Sequence, residues 1–400
     1  MKQFVLASSG RRLIYSKQAP SCPERLEIPH TLAPAPSEKG KLSCFKSNRI
    51  LSFDLVRGFT VLFIPMVHAV MLYSKAEVHR TAFGWFLALI AEWPGAQLFM
   101  FLMGVYFSFS SKSLAFQLTR AVIVFISGYG LNFLKFVLPG WFGLLPVSLI
   151  ADASFTDDLP ALTSFFLIGD VLQLAGISMF LLAIINRLSF GVALAALMAY
   201  FIVPVSPLLW DLHHSNAVVD HLLQLVGGKP WDVFFPIFPW VVYPLVGYVV
   251  GWFLRLPYGN MLPVFVAGCV LMIGAGMMMF SSFHFEAESF YRTYPDGTVM
   301  HLGFVMVWIA LWDYVARFIE PPSHQDSKGA QSFFVMCIAG LLKFCSRRIT
   351  VIYLVQWPLI CWLLPVVEYR SLGVWGSFLI GLILTVAVLI LTRLMSNSVT

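Results

Sequence analysis

Asp54, Arg57 and His68 stand in a stretch that is otherwise apolar, RILSFDLVRGFTVLFIPMVHAVMLYSKAEVH, residues 49–79. A charged side chain at the centre of a bilayer costs about 2.5–3.5 kcal/mol on insertion scales, so an apolar helix that keeps one needs something to offset it. Asp54 and Arg57 are three residues apart, share a helical face and could pair. His68 lies eleven residues beyond Arg57, close to three turns, which puts both on one face about 16 Å apart along the axis. The stripe Asp54, Arg57, Val61, Ile64, His68 is continuous, and Pro65 can bend the helix just before the histidine. An imidazole can take a proton near neutral pH. A guanidinium can orient or neutralise an anion. Two plainer readings stand beside this chemistry: a structural Asp–Arg pair, and a histidine bonded to a neighbouring carbonyl.

The elements that must position these groups are membrane helices. Hydrophobic residues make up 59% of the 400 and charged residues 12%, against roughly 25% charged in soluble domains. Too little polar surface remains to cover a globule in water. The 37 Phe, 12 Trp and 13 Tyr suit wide interfacial belts. With about 20 apolar residues needed to cross, candidate spans are 50–74, 95–111, 116–138, 164–186, 189–208, 232–254, 260–282, 300–319, 347–366 and 371–394. The run 331–345 is short and reads as interfacial or re-entrant; as a span it would make the count eleven. The expected fold is an all-α, polytopic helical bundle of about ten transmembrane helices over residues 49–396. No internal repeat is visible.

Residues 1–48 read as a basic cytoplasmic tail, with 19–40 a disordered linker and no signal peptide. Nine Lys/Arg against three acids fall in the first 49 residues. The positive-inside rule accounts for this better than nucleic-acid binding does. Alternating through ten spans from an inside N-terminus places 19 of the 26 Lys/Arg on inside segments. Outer loops then hold Lys75, Arg80, Lys135, Lys229, Arg292 and Arg370, and only Arg57 is left in the membrane. Both termini are therefore expected in the cytoplasm, with the chain in the cell (inner) membrane. Cys269, Cys337, Cys345 and Cys361 read as small core residues, Cys22 and Cys44 belong to the tail, and neither a disulfide nor a metal site is inferred.

The opening R-[IL]-x-S-[FL]-D-x-x-R-G, followed by an apolar run and a His, resembles the transmembrane acyltransferase superfamily. The nearest branch is the heparan-alpha-glucosaminide N-acetyltransferase-like one; the related acyltransferase-3 family shares the Arg57-to-His68 spacing. LFMFLMGVYFS (98–108), Arg120 opening the third helix, GDVLQLAGISM (169–179), FPIFPWVVYPLVGYVVGW (235–252) and SRRITVIYLVQWPLI (346–360) resemble further family helices in order. Gln356 stands where many relatives carry His and is given no proton-transfer role. The heparan-type branch usually has Asn at the His68 position and its key His further on, where this chain has His79.

The resemblance implies transfer of an acyl group, by default acetyl, from cytoplasmic acyl-CoA to a glycan or other acceptor at the outer face. His68 or His79 would be the base, Arg57 would orient the donor or stabilise negative charge, and Asp54 belongs to the same catalytic set. Arg120, Arg347, Arg348 and Tyr353 would hold the donor. Asp170, Gln173, Trp240, Tyr243 and His301 would meet the acceptor, although Asp170 and Gln173 could equally make structural bonds and Trp240 and Tyr243 could be packing aromatics. Asp313 and Arg317 read as a simple i,i+4 pair. His213, His214 and His221 are a weak metal pattern; His284, Glu286 and Glu288 read as a solvated loop. Expected partners are membrane lipid, acyl-CoA, the acceptor and, left open, a second copy of the chain. The competing class is a transporter or flippase, which also uses intramembrane Asp, Arg and His; the missing inverted repeat speaks against it.

Overall fold

The structure is a computed structural model that describes residues 50–156, 159–282, 290–319 and 333–397. The tail with its linker and two cysteines, Asp157, Asp158, His284, Glu286, Glu288 and Lys328 lie outside the described residues. Among the described residues twelve helices carry the bundle: α1 Leu51–Tyr73, α2 Ala82–Ser108, α3 Leu114–Trp141, α4 Val171–Ile185, α5 Gly191–Leu209, α6 Ala217–Gly227, α7 Ile237–Leu254, α8 Met261–Ser282, α9 Pro295–Ile319, α10 Phe333–Arg347, α11 Ile349–Trp362 and α12 Val374–Asn397. Eight of these (α1, α2, α3, α5, α7, α8, α9, α12) are long and apolar enough to cross a membrane. The protein is an all-helical integral membrane protein. The shorter α4 and α11 occupy the expected fourth and ninth spans. Among the described residues only two isolated bridges, Ser74 with Leu372 and Gly169 with Val233, pair extended backbone.

The second span begins well before the expected residue 95. Pro94 and Gly95 read as breakers, yet α2 absorbs them in a π-turn, Ala91–Gly95. Inside it the Gln97 Nε2 donates to the Glu92 carbonyl at 2.9 Å, supplying a donor where the ladder is disturbed. Glu92 is therefore a helix residue. A second π-turn, Phe133–Val137, interrupts α3 and carries Lys135. The expected fourth helix is broken: a short helix Ala161–Leu167 ends, residues 168–170 run extended, and α4 starts at Val171. Gly169 donates to the Asp232 carbonyl at 3.0 Å and accepts from Phe234 at 2.8 Å. The break is thus stapled to the extended chain that leads into α7, which satisfies backbone groups that lipid could not.

Close helix approach relies on small residues. A side chain at Gly104 of α2 would strike the Pro244 carbonyl of α7, and one at Gly247 would strike the Phe101 carbonyl. Apolar surface gives little drive toward association in lipid, so intimate packing of this kind holds the pair together. α1 is central: it packs against α9, α10, α11 and α12. Gly58 lets α10 cross its N-terminal half with Leu342 in contact. α10, expected as interfacial or re-entrant, is this 15-residue crossing helix. Trp375, Phe280 and Trp85 are largely exposed, as a lipid-facing periphery requires.

The two ends of α1 fix how the bundle closes. At its N-terminal end Asp54 accepts from Ser346 Oγ at 2.8 Å. The next residues, Arg347 and Arg348, line a cleft with Ser396 near the end of α12. At its C-terminal end Lys75 N donates to Leu372 O and Arg370 N to Leu72 O, both at 3.0 Å, just ahead of α12. α1 and α12 are antiparallel, so the chain enters and leaves the bundle at the same face.

Candidate functional site

Asp170 caps α4. Its Oδ1 accepts from Val171 N at 2.7 Å, while its own N–H donates to Gln173 Oε1 at 3.1 Å, a reciprocal capping box. The Gln173 amide also donates to Ile168 O at 3.3 Å. Asp170 Oδ2 accepts from Lys135 Nζ at 2.9 Å, with the side chains only 9% and 3% exposed. The π-turn in α3 turns Lys135 inward, where its ammonium also lies 4.6 Å from the centre of the Trp357 ring.

His68 meets the same tryptophan. The imidazole stacks on Trp357 with centroids 4.2 Å apart and planes inclined by 27°. Tyr353, one turn earlier on α11, stands edge-on to His68 at 6.4 Å. Gln356 is fully buried and approaches the imidazole. His68, Tyr353, Met71 and Tyr291 are only partly buried, and with Trp357, Gln356, Lys135 and Asp170 they form one cluster, the chamber. Tyr291 turns its hydroxyl toward the Met71 sulfur at 4.0 Å. His68 Nδ1, both amide atoms of Gln356 and Trp357 Nε1 are buried and make no hydrogen bond of ordinary geometry among the described residues, although Gln356 lies beside the imidazole and the indole N–H beside the Tyr353 hydroxyl. One side of this chamber holds a satisfied ion pair and the other a set of unsatisfied donors and acceptors. That combination suits proton transfer and binding of a polar group.

The N-terminal end of α1 is built differently. Asp54 and Arg57 do not pair. Asp54 accepts from Ser346, and the Arg57 guanidinium lies 5.3 Å from the centre of the Tyr106 ring. The face they share leads on to separate neighbours, α10 and α2, and each charge turns to the nearer one. Ser52 Oγ donates to Asp313 at 3.2 Å, and Asp313 pairs with Arg317 at 2.9 Å as the spacing predicts. Lys343, Arg347 and Arg348 line a cleft of about 340 Å³ at this end. Arg120 is exposed on α3 and is not part of that cleft.

The expected site residues divide accordingly. His68, Asp170 and Tyr353 come together; Arg347 and Arg348 come together elsewhere; Arg57 lies between them along α1. His79 is exposed on a 3₁₀ turn, Ala76–Arg80, that joins α1 to α2. Burial and the nearby Arg370 charge hold its imidazole below the ordinary histidine value. Trp240 and Tyr243 stand as packing aromatics, the second of the two expected readings: they are 2% and 1% exposed in the core, and the indole N–H donates to Tyr291 O at 2.8 Å. They offer no ring face to a sugar. Gln173 is likewise committed to the cap. His301 sits among Trp93 and Phe290 at 5.9 and 6.4 Å, its Nδ1 without a partner among the described residues. His213 pairs with Asp220 at 3.3 Å and His221 meets the Tyr129 hydroxyl at 3.1 Å. Cys345 and Cys361 are buried as expected of core residues, but Cys337 is exposed.

Two site residues escape the sequence reading. Lys135, placed in an outer loop, is inside α3; the apolar run LNFLKFVLPGW continues past it to Trp141 and is the signal for an intramembrane charge. Arg292, also placed in a loop, is buried and ties Gly228 O at 2.8 Å, Gly227 O and Asp211 into one corner.

Comparison with known proteins agrees with this geometry. The profile of the heparan-alpha-glucosaminide N-acetyltransferase catalytic family matches residues 49–262, more than half of the chain, and takes in α1 to α7 with Arg57, His68, Lys135 and Asp170. No curated protein and no solved structure matches. With the family's segment covering more than half of the chain and the helices that carry His68, Lys135 and Asp170, the chain belongs to the heparan-alpha-glucosaminide N-acetyltransferase catalytic family and is an acetyltransferase-type membrane enzyme.

Proposed function

We propose that this protein transfers an acetyl group from acetyl-CoA, held at the end of the bundle where the chain enters and leaves, to a glycan or other acceptor arriving from the opposite face. The observation that carries this reading is the layout of α1. Its N-terminal end adjoins the basic cleft of Lys343, Arg347 and Arg348, Arg57 follows, and His68 meets the chamber about 16 Å beyond Arg57. The cleft cations suit the phosphates of the donor, and the distance is comparable with the reach of a pantetheine arm. His68 then takes the proton of the attacking hydroxyl or amine, with His79 as the alternative base. Positive-inside bias supports the cleft lying in the cytoplasm, in the cell membrane.

A transporter reading draws on one observation, the buried Lys135–Asp170 pair at the N-terminus of a broken helix. Purified protein in detergent decides between them. Labelled acetyl-CoA should bind saturably, bind more weakly to Arg57→Ala, and pass its label to an acceptor in wild type. Loss of transfer in His68→Ala or in His79→Ala names the base. Persistence of transfer in the double variant refutes both assignments. Absence of any acetyl-CoA binding together with proton-coupled flux in vesicles would move the protein to the transporter class.

A further inference from the structure

The chamber holds an imbalance that the acyl-transfer reading leaves unused. Asp170, Lys135 and Gln173 satisfy one another. On α11, next to the Trp357 ring that Lys135 approaches, Gln356 has neither amide atom in a hydrogen bond of ordinary geometry among the described residues, although the side chain is 0% exposed. The adjacent Trp357 indole N–H has the Tyr353 hydroxyl nearby but no hydrogen bond of ordinary geometry, and neither has Nδ1 of the imidazole stacked on it. Native interiors rarely leave one buried polar atom unpaired. Four in one place, on two residues of one helix and the histidine they touch, describe a site whose partner is a ligand. Whichever way the Gln356 amide is turned, it offers one donor group and one acceptor. With the indole, the site presents two N–H donor groups and one acceptor next to a base.

We propose that Gln356 and Trp357 hold the carbonyl oxygen of the acyl group, as the donor pair that stabilises the oxyanion during transfer. This rests on the acyl-transfer reading. The acceptor's oxygen or nitrogen attacks the thioester carbon and its proton passes to His68. The carbonyl π electrons move onto the oxygen, which the Gln356 and Trp357 N–H groups bond. On collapse the C=O bond re-forms, the C–S bond breaks, and the thiolate takes the proton back from His68, leaving the acylated acceptor and free CoA thiol. Donors aimed at developing charge in a dry site contribute strongly to rate and little to ground-state binding. Buried N–H groups are suited to this because water does not compete for them.

Three variants and one spectrum test it. Gln356→Leu and the near-isosteric Gln356→Glu should lower kcat by about a hundredfold to a thousandfold with the KM for acetyl-CoA nearly unchanged. Trp357→Phe keeps a stacking ring, removes the N–H and should show a smaller loss of the same kind. Gln356→Leu and Trp357→Phe should melt no lower than wild type, because each removes an unpaired polar group. Independently of any variant, the infrared carbonyl band of ¹³C-labelled acetyl-CoA, or of its ketone analogue, should shift down on binding to wild type. Full kcat in Gln356→Leu and Trp357→Phe, or an unshifted band from ligand shown to be bound, overturns the assignment while leaving acyl transfer intact. Failure of wild type to bind or use acetyl-CoA overturns the acyl-transfer reading, and this assignment with it.

Discussion

The Lys135–Asp170 pair makes an asymmetric prediction. Asp170→Asn removes the carboxylate charge but keeps a good helix N-cap, since Asn and Asp cap about equally. What remains is a Lys135 ammonium with a side chain 3% exposed and no other anionic partner in the ion pairs of the described residues. Breaking a buried pair in this way costs about 3–5 kcal/mol. Lys135→Met strands the opposite charge, but Asp170 keeps the Val171 N–H at 2.7 Å and the positive end of α4. Its cost should therefore fall toward the lower end, about 3 kcal/mol or below. The double variant strands nothing, and replacing a buried pair whole is often neutral or stabilising. The cycle should accordingly return a coupling close to the sum of the two single losses, about 6 kcal/mol, with the double variant more stable than Asp170→Asn alone. Tryptophan fluorescence during SDS titration of mixed micelles reads all four proteins. Single variants that each lose less than about 1 kcal/mol, the range of exposed pairs, or an additive cycle, would show that the pair is solvated and the chamber wet.

Three further outcomes follow from other regions. Arg347→Gln and Arg348→Gln should each raise the KM for acetyl-CoA about tenfold at unchanged kcat, because a charge-assisted bond contributes about 1.5–3 kcal/mol; the effect should shrink as salt rises in steady-state assays. Gly104→Leu should prevent assembly, as its side chain meets the Pro244 carbonyl of α7, whereas Gly274→Ala, with open space around it, should fold normally, both read by size exclusion in detergent. Because its folded-state value lies below its unfolded value, His79 contributes stability above the ordinary histidine range that is lost as pH falls. Arg370→Gln should move its titration upward, seen as slower diethyl pyrocarbonate modification in the weakly acidic range.

Long apolar runs made the helices legible, because spanning demands length and composition and little else. α2 starts earlier than the span 95–111 for a local reason. Pro94 and Gly95 are breakers only when nothing repairs the freed carbonyl, and the repairing Gln97 is an ordinary residue in any sequence reading. His68 stood out because it is polar in an apolar helix and in phase with Arg57. Lys135 did not, because a span boundary drawn three residues beyond it made it look like loop. Trp357 carries no charge and follows the first helix by almost 290 positions, so its stacking on His68 had no signature in spacing. The Asp54–Arg57 pair shows the opposite error. A shared helical face permits contact, but neighbouring helices decide it, and here Ser346 and Tyr106 do.

The π-turn at Phe133–Val137 gives α3 a reading frame. It is in effect one residue more than a regular helix needs over that stretch, and this extra residue sets the rotation of everything on one side relative to the other. Deleting a single apolar residue here, Leu134 or Phe136, would regularise the ladder and remove no functional group. It would also swing Lys135 by about a third to a quarter of a turn relative to one flank of its own helix. A more regular helix would then be a worse enzyme: ordinary hydropathy would not register the change, yet the ammonium would have lost its address.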